Sequence, residues 1–197
     1  MDLKGLKIGI ALTGSFCNLH IAFRIIEELV AQGAMVQSII SYNVDRLDTK
    51  FFKAEKIKEI LHELTGKNII KEITEAEPVG PQNMFDILLV IPTTGNTLAK
   101  LANAITDTPV LMAIKSQLRN KKPVVIGVST NDGLGNNARN LGYLMNMENV
   151  FFVPFAQDAP TAKEMSVVFK EQLVVSTIKA ALQKHQVQPI LIGSEKE

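Results

Sequence analysis

The stretch Asp86-Ile87-Leu88-Leu89-Val90-Ile91-Pro92-Thr93-Thr94-Gly95-Asn96-Thr97 decides the fold. Its first half is nearly continuous in apolar residues, the pattern of a strand covered on both faces rather than one. The run is expected to end at Pro92. The hydroxyl-rich turn after it leads into a helical pattern through Leu98, Leu101, Ala102 and Ile105. A fully buried strand that feeds a helix through a short polar turn is the repeating unit of an α/β sheet protein.

The same grammar recurs on both sides. Upstream, Lys7-Ile8-Gly9-Ile10-Ala11-Leu12 reads as a strand closed by Thr13-Gly14-Ser15, and Leu19, Ala22, Phe23, Ile26, Leu29 and Val30 follow at helical spacing. Gly33 supplies the left-handed stop that helices favour, and residues 34–41 give a second strand rich in Val and Ile. Residues 53–64 form an amphipathic helix ended by Gly66, with a short strand expected at 68–73. Downstream, Pro109 opens a helix reaching Asn120, and residues 124–128 and 150–153 are buried strands. They flank a helix carrying Ala138, Leu141, Leu144 and Met145. Residues 161–185, with Met165, Val168, Phe169, Leu173, Val174 and Ile178, read as the longest helix, and Ile190-Leu191-Ile192 as an edge strand. The expected fold class is α/β, a three-layer Rossmann-like or flavodoxin-like parallel sheet with helices on both faces. Residues 1–197 form one domain in this reading.

Composition narrows the function. The 197 residues are 46% hydrophobic and 21% charged, with a formal charge of +1, so the broad positive field that nucleic acid or an anionic membrane needs is missing. Any anion site must be local. One cysteine, Cys17, cannot form an internal disulfide, and His20, His62 and His185 have no zinc spacing. With no signal-peptide pattern and no apolar run near the roughly 20 residues of a membrane span, a soluble, cytoplasmic protein is expected.

In an open parallel sheet, ligands bind beyond the carboxyl ends of the strands. The loops there are Thr- and Asn-rich and poor in carboxylates. Thr13, Gly14 and Ser15 offer hydroxyls and backbone N–H groups to a phosphate, with an ordinary capped turn as the alternative. Thr94, Asn96 and Thr97 gather hydroxyls and an amide at one helix start, which suits phosphate oxygens and a heterocycle edge; N-capping accounts for one of them but not the set. No G-x-G-x-x-G or Gly-Lys-Ser/Thr motif occurs, and the second strand ends at Ser41-Tyr42-Asn43 without the acid that would hold an NAD ribose.

Thr13-Gly14-Ser15, Pro92-Thr93-Thr94-Gly95-Asn96-Thr97 and Lys122-Pro123-Val124-Val125-Ile126-Gly127-Val128-Ser129-Thr130-Asn131 resemble the landmarks of the flavoprotein family. That family includes flavin-containing cysteine decarboxylases, phosphopantothenoylcysteine decarboxylase and prenyl-flavin synthases. The resemblance spans about residues 5 to 180. It implies FMN as cofactor, its phosphate held by Gly14 and Ser15 with Ser41 as a further hydroxyl, and Thr94, Asn96 and Thr97 facing the flavin. Asn131 matches the asparagine that grips a substrate carboxylate in the decarboxylases.

It also implies a homo-oligomer, trimer-based, with the cofactor at the boundary between neighbouring copies. The forms Thr-Gly-Ser-Phe-Cys (13–17), Ile-Thr-Asp-Thr-Pro (105–109) and Ser-Thr-Asn-Asp-Gly-Leu-Gly (129–135) point to one branch of the family. There an oxidoreductase subunit works with a dehydrogenase-like partner carrying NADP. Together they aromatise a cyclic dihydro precursor to a small-molecule pyridine dicarboxylate in the mother-cell cytoplasm of a sporulating bacterium.

Departures from the family pattern weigh against decarboxylation. His62 falls inside the amphipathic helix and His20 at the start of the first, so neither reads as a general base. Val128 and Thr130 replace the proline and methionine of the Pro-Ala-Met-Asn motif, and no glycine-rich segment with a cysteine follows Pro154. A binding or regulatory subunit without chemistry of its own is the competing reading. Cys17 reads first as a small semi-buried residue, and as a helix-start thiolate only second.

Overall fold

A computed structural model describes residues 2–193. Five parallel strands form its centre: β1 (Lys7–Leu12), β2 (Met35–Ile40), β3 (Ile87–Thr93), β4 (Val124–Thr130) and β5 (Val150–Phe152). Their spatial order is β2-β1-β3-β4-β5, the flavodoxin order. The helices are α1 (Leu19–Ala31), α2 (Tyr42–Arg46), α3 (Ala54–Thr65), α4 (Ile73–Ala76), α5 (Gly95–Ala102), α6 (Pro109–Arg119), α7 (Ala138–Met145) and α8 (Val174–Leu182).

The period-2 alternation of strands sorts the core into two halves. Ile8, Ile10, Leu12, Ile87, Leu89 and Ile91 pack on one face against α1, α3 and α8, through Ile26, Ile57 and Ile178 among others. Ala11, Leu88, Val90, Ile126 and Val128 face the other way, onto Leu98 of α5, Ile114 of α6 and Leu144 of α7. All seven residues of β3 are buried, because helices cover both faces and strands flank both edges.

The α/β class stands, but the sheet is mixed. Two strands, β6 (Phe155–Gln157) and β7 (Val167–Phe169), form an antiparallel hairpin, and β7 also pairs antiparallel with β4 at Ser129 and Thr130. The long helix expected over 161–185 is therefore split: its first part is this hairpin, and α8 is a nine-residue helix. The spacing of Met165, Val168 and Phe169 fits a helix, yet Val167 and Phe169 also alternate. A free length of β4 beyond the end of β5 decides for the strand.

Four smaller expectations shift. β3 does not stop at Pro92 but runs to Thr93: its register against β4 slips between Val90 and Thr93, so the missing N–H of proline breaks no ladder bond. Residues 68–73 supply only a bridge, Ile70 to Ile39, before a capping box formed by Glu72 and Glu75 starts α4. Residues 190–192 likewise make one bridge, Leu191 to Phe155. Ile105 lies outside α5, which ends when Asn103 bonds back to Ala99 and Ala104 turns left-handed. Gly66, at φ 64°, caps α3 as expected.

Candidate functional site

β1 sits between β2 and β3, and the chain leaves it toward β2 but arrives at β3 later, so the crevice between the ends of β1 and β3 is the topological switch point. Thr13 pins it. Its hydroxyl donates to Pro92 O (2.8 Å) and accepts from Thr94 N–H (2.9 Å), while its own N–H donates to Pro92 O (3.3 Å). Thr94 in turn is the N-cap of α5, its Oγ1 accepting from Thr97 N–H at 3.4 Å and lying 3.0 Å from Thr97 Oγ1. The β1 and β4 loops are stitched the same way: Ser15 Oγ lies 2.8 Å from Ser129 Oγ, which also accepts from Asn18 Nδ2 (2.6 Å). Three loops far apart in sequence form one polar rim.

Two adjoining cavities open on that rim. The larger, about 750 Å³, is lined by Ser15, Thr94, Asn96 and Asn131 among others, and the smaller, about 270 Å³, by Thr13, Ser41, Thr94, Asn96 and Thr97. Gly14, Thr94 and Asn96 line both. All eight residues expected at the site thus meet there. Thr13, Ser15, Thr94 and Thr97 are committed to the stitching, whereas Ser41, Asn96 and Asn131 make no side-chain hydrogen bond among the described residues. Ser41 begins α2 without capping it.

These groups fit FMN. Gly14 lets a phosphate approach, since an added Cβ would meet nothing nearer than Phe16 at 3.4 Å. The larger cavity has the apolar walls a flavin ring needs, in Phe16, Phe51, Val167 and Val168, with the Asn96 amide to bond the ring edge and the Asn131 amide left for a second ligand. Its size lies within the roughly 300–1,000 Å³ of ordinary small-molecule sites. A third cavity, about 720 Å³, lies beside β5 and residues 184–190 and lacks this hydroxyl cluster.

Several lining residues escape a reading of the sequence. Asp132 follows Asn131, its Oδ1 accepting from Thr130 Oγ1 (2.5 Å) and its Oδ2 from Asn137 Nδ2 (2.7 Å); Asn140 holds Asn137 from behind at 2.8 Å. A lone acid in a Ser/Thr/Asn-rich loop is the available signal. Phe51, Asp158, Lys163 and Ser166 also line the larger cavity, the last three from the β6–β7 hairpin that the helical periodicity conceals. Lys163 Nζ pairs with Asp158 Oδ2 at 2.9 Å, a bond that holds the ammonium above the usual lysine value. In the smaller cavity Lys100 pairs with Asp107 at 2.6 Å. His20 and His62 line neither cavity, His62 Nδ1 lying 3.2 Å from Lys67 O. Cys17 is exposed at the edge of the larger one. Among the described residues no group of three or more His, Cys, Asp or Glu side chains could hold a metal, and no helix is long and apolar enough to cross a membrane.

A flavodoxin-ordered sheet with hydroxyl- and amide-lined cavities at its switch point has the frame of a flavin-site protein, and the sequence matches the flavoprotein family over residues 1–183. The chain belongs to that family. It is 49% identical over 192 residues to the B-type subunit of dipicolinate synthase from Bacillus subtilis strain 168, covering 97% of this chain and 96% of that protein. The crystal structure of the corresponding B-type subunit from Bacillus halodurans superposes with a TM-score of 0.90 at 42% identity, over 100% of both chains. An FMN-dependent cysteine decarboxylase, SpaF, shares the fold at a TM-score of 0.67 and 18% identity, over 92% of this chain and 97% of its own.

Proposed function

We propose that the chain is the flavin-binding, B-type subunit of a dipicolinate synthase. In this reading it works with the A-type subunit of that enzyme, a dehydrogenase-like partner that carries NADP, to oxidise a cyclic dihydrodipicolinate-type precursor to pyridine-2,6-dicarboxylate. The observation that carries the reading is the meeting of uncommitted Ser41, Asn96 and Asn131 side chains at one stitched rim, in a chain similar along its whole length to a protein of that name.

Ser41, Ser15 and the open backbone at Gly14 bind the phosphate. Thr94 and Thr97 fix the start of α5, so that Asn96 meets the ring edge in a set orientation. Asn131 orients a substrate carboxylate; its neighbours Ser129 and Thr130 are already engaged, with Asn18 and Asp132, and serve to hold the loop. Bound FMN would supply an acceptor for the hydride that aromatisation releases. Both oxygens of Asp132 accept hydrogen bonds and Asp158 is ion-paired, so the acceptor for the ring proton is assigned to the dehydrogenase-like partner. The family resemblance supports a trimer-based homo-oligomer and a place in the mother-cell cytoplasm during sporulation.

Purification with and without the dehydrogenase-like partner, followed by absorbance in the flavin band and a pyridine-dicarboxylate assay, tests the reading. Flavin retained by this chain and product formed only when both proteins are present are expected. Product formed at the same rate by the partner on its own would overturn it. The lack of a histidine or an uncommitted carboxylate among the described residues lining the two rim cavities favours one rival, a regulatory subunit that binds FMN without chemistry. That rival predicts product from the partner on its own, with this chain altering only the rate. An FMN-dependent decarboxylase is the weakest alternative, since the histidines lie off the site.

A further inference from the structure

A pyridine-2,6-dicarboxylate carries two negative charges, and Asn131 can answer only one carboxylate. The larger cavity is already acidic, with Asp132 and Asp158 in its lining. Placing a second carboxylate there without a cation would leave a partly desolvated charge unpaired, which is strongly unfavourable. Among the described residues the lining contains one cation, Lys163. Lys100 stands in the smaller cavity, paired with Asp107 at the end assigned to the phosphate.

We propose that Lys163 binds the second carboxylate of a planar ring dicarboxylate and so sets the preference for dicarboxylates over monocarboxylates; this rests on the functional reading above. The hairpin carries the lysine to the right place. β7 pairs with β4 at Ser129 and Thr130, Ser166 Oγ donates to Thr130 O at 3.3 Å, and Leu134 N–H donates to Met165 O at 3.0 Å. The turn therefore stands over the loop that bears Asn131. Its backbone is fixed, with Lys163 N–H on Ala159 O (2.7 Å) and Ser166 N–H on Lys163 O (2.9 Å). The side chain is not: it is 56% exposed and held by Asp158 alone.

Asp158 Oδ2 thus occupies the position that a ligand carboxylate oxygen would take. Exchange costs little, because an exposed ion pair contributes little to stability and a lysine is a point charge on a flexible stem. Asp158 Oδ2 also lies 3.5 Å from Ser166 Oγ, whose hydroxyl proton can turn to it from Thr130 O when the lysine leaves.

The test is calorimetric titration of pyridine-2,6-dicarboxylate and pyridine-2-carboxylate into the full chain with FMN, in metal-free buffer, for the unaltered protein and for Lys163→Met, Lys163→Arg and Asp158→Asn. The unaltered protein should prefer the dicarboxylate by at least about ten-fold, the worth of one charge-assisted hydrogen bond. Lys163→Met should erase that preference while leaving monocarboxylate and FMN affinity unchanged. Lys163→Arg should keep most of it, and Asp158→Asn should tighten dicarboxylate binding at low salt. A preference that survives in Lys163→Met, or a parallel loss of FMN affinity, overturns the role of Lys163 alone. An unaltered protein that binds FMN but neither pyridine overturns the functional reading, and this inference with it.

Discussion

Gly95→Ala should destabilise the protein at the point where the β3 and β4 loops meet. A Cβ built on Gly95 falls 2.6 Å from Asn137 Nδ2, 2.6 Å from Asp132 Oδ1 and 2.8 Å from Thr130 Oγ1. Those three atoms are not free to retreat, because Thr130 and Asn137 both donate to the Asp132 carboxylate. Overpacking alone costs about 1–3 kcal/mol, and each weakened bond to a charged acceptor is worth about 1.5–3 kcal/mol. Part is returned by the better helix propensity of alanine, leaving a net loss of about 2–4 kcal/mol. In a domain of this length that lowers Tm by about 4–16 °C. Thermal and urea unfolding would measure it, and a double-mutant cycle with Asp132→Ala would locate it. Removing the carboxylate frees space for the Cβ, so the pair of substitutions should cost less than the sum by about 1 kcal/mol or more. Unchanged stability in Gly95→Ala, or strict additivity with Asp132→Ala, would refute the reasoning.

Other substitutions have different signs. Gly142→Ala, inside α7 with nothing within 4 Å of the added Cβ, should raise stability by about 0.5–1 kcal/mol, read as a higher urea midpoint. Gln186 covers the outer edge of β5, accepting from Phe152 N–H at 2.8 Å and donating to Phe152 O at 2.7 Å. Gln186→Ala should cost about 1–3 kcal/mol in a melting experiment and promote association seen by light scattering, since a bare strand edge invites pairing. Lys58 lies 3.3 Å from buried Asp45 Oδ1 and 2.6 Å from Glu55, and its ammonium is held above the usual lysine value, chiefly by the Glu55 bond. A raised lysine value gives stability that is full below about pH 10.4, where the unfolded side chain titrates, and is lost as pH rises through the folded value. Urea midpoints should therefore separate unaltered protein from Lys58→Met at pH 7 and converge as pH rises through the raised folded value.

What the sequence revealed followed local chemistry. The strand at Lys7–Leu12 was legible, as was β4 as far as Val128, because a continuous apolar run has few other uses; the two polar residues Ser129 and Thr130 that extend β4 were not; α3 was legible because its glycine stop is unambiguous. The rim was legible because hydroxyls and amides cluster after β1 and β3 without carboxylates. The hairpin was not. Met165, Val168 and Phe169 keep a helical spacing while Val167 and Phe169 alternate, and only the free length of β4 beyond β5, a tertiary fact, selects the strand. With the hairpin hidden, Lys163 and Asp158 could not be placed. Asp132 was hidden differently: its loop stands out in the sequence, but its role depends on the reach of Asn137 and on the missing side chain of Gly95.

Titration of FMN fluorescence with the purified chain tests the central claim most directly. Saturable quenching is expected at one flavin per chain, weakened at least about ten-fold in Ser41→Ala and Asn96→Ala through loss of hydrogen bonds to the ligand, while their melting temperatures stay near that of the unaltered protein. A colourless protein that leaves the fluorescence unchanged, or quenching that both variants retain in full, would contradict it.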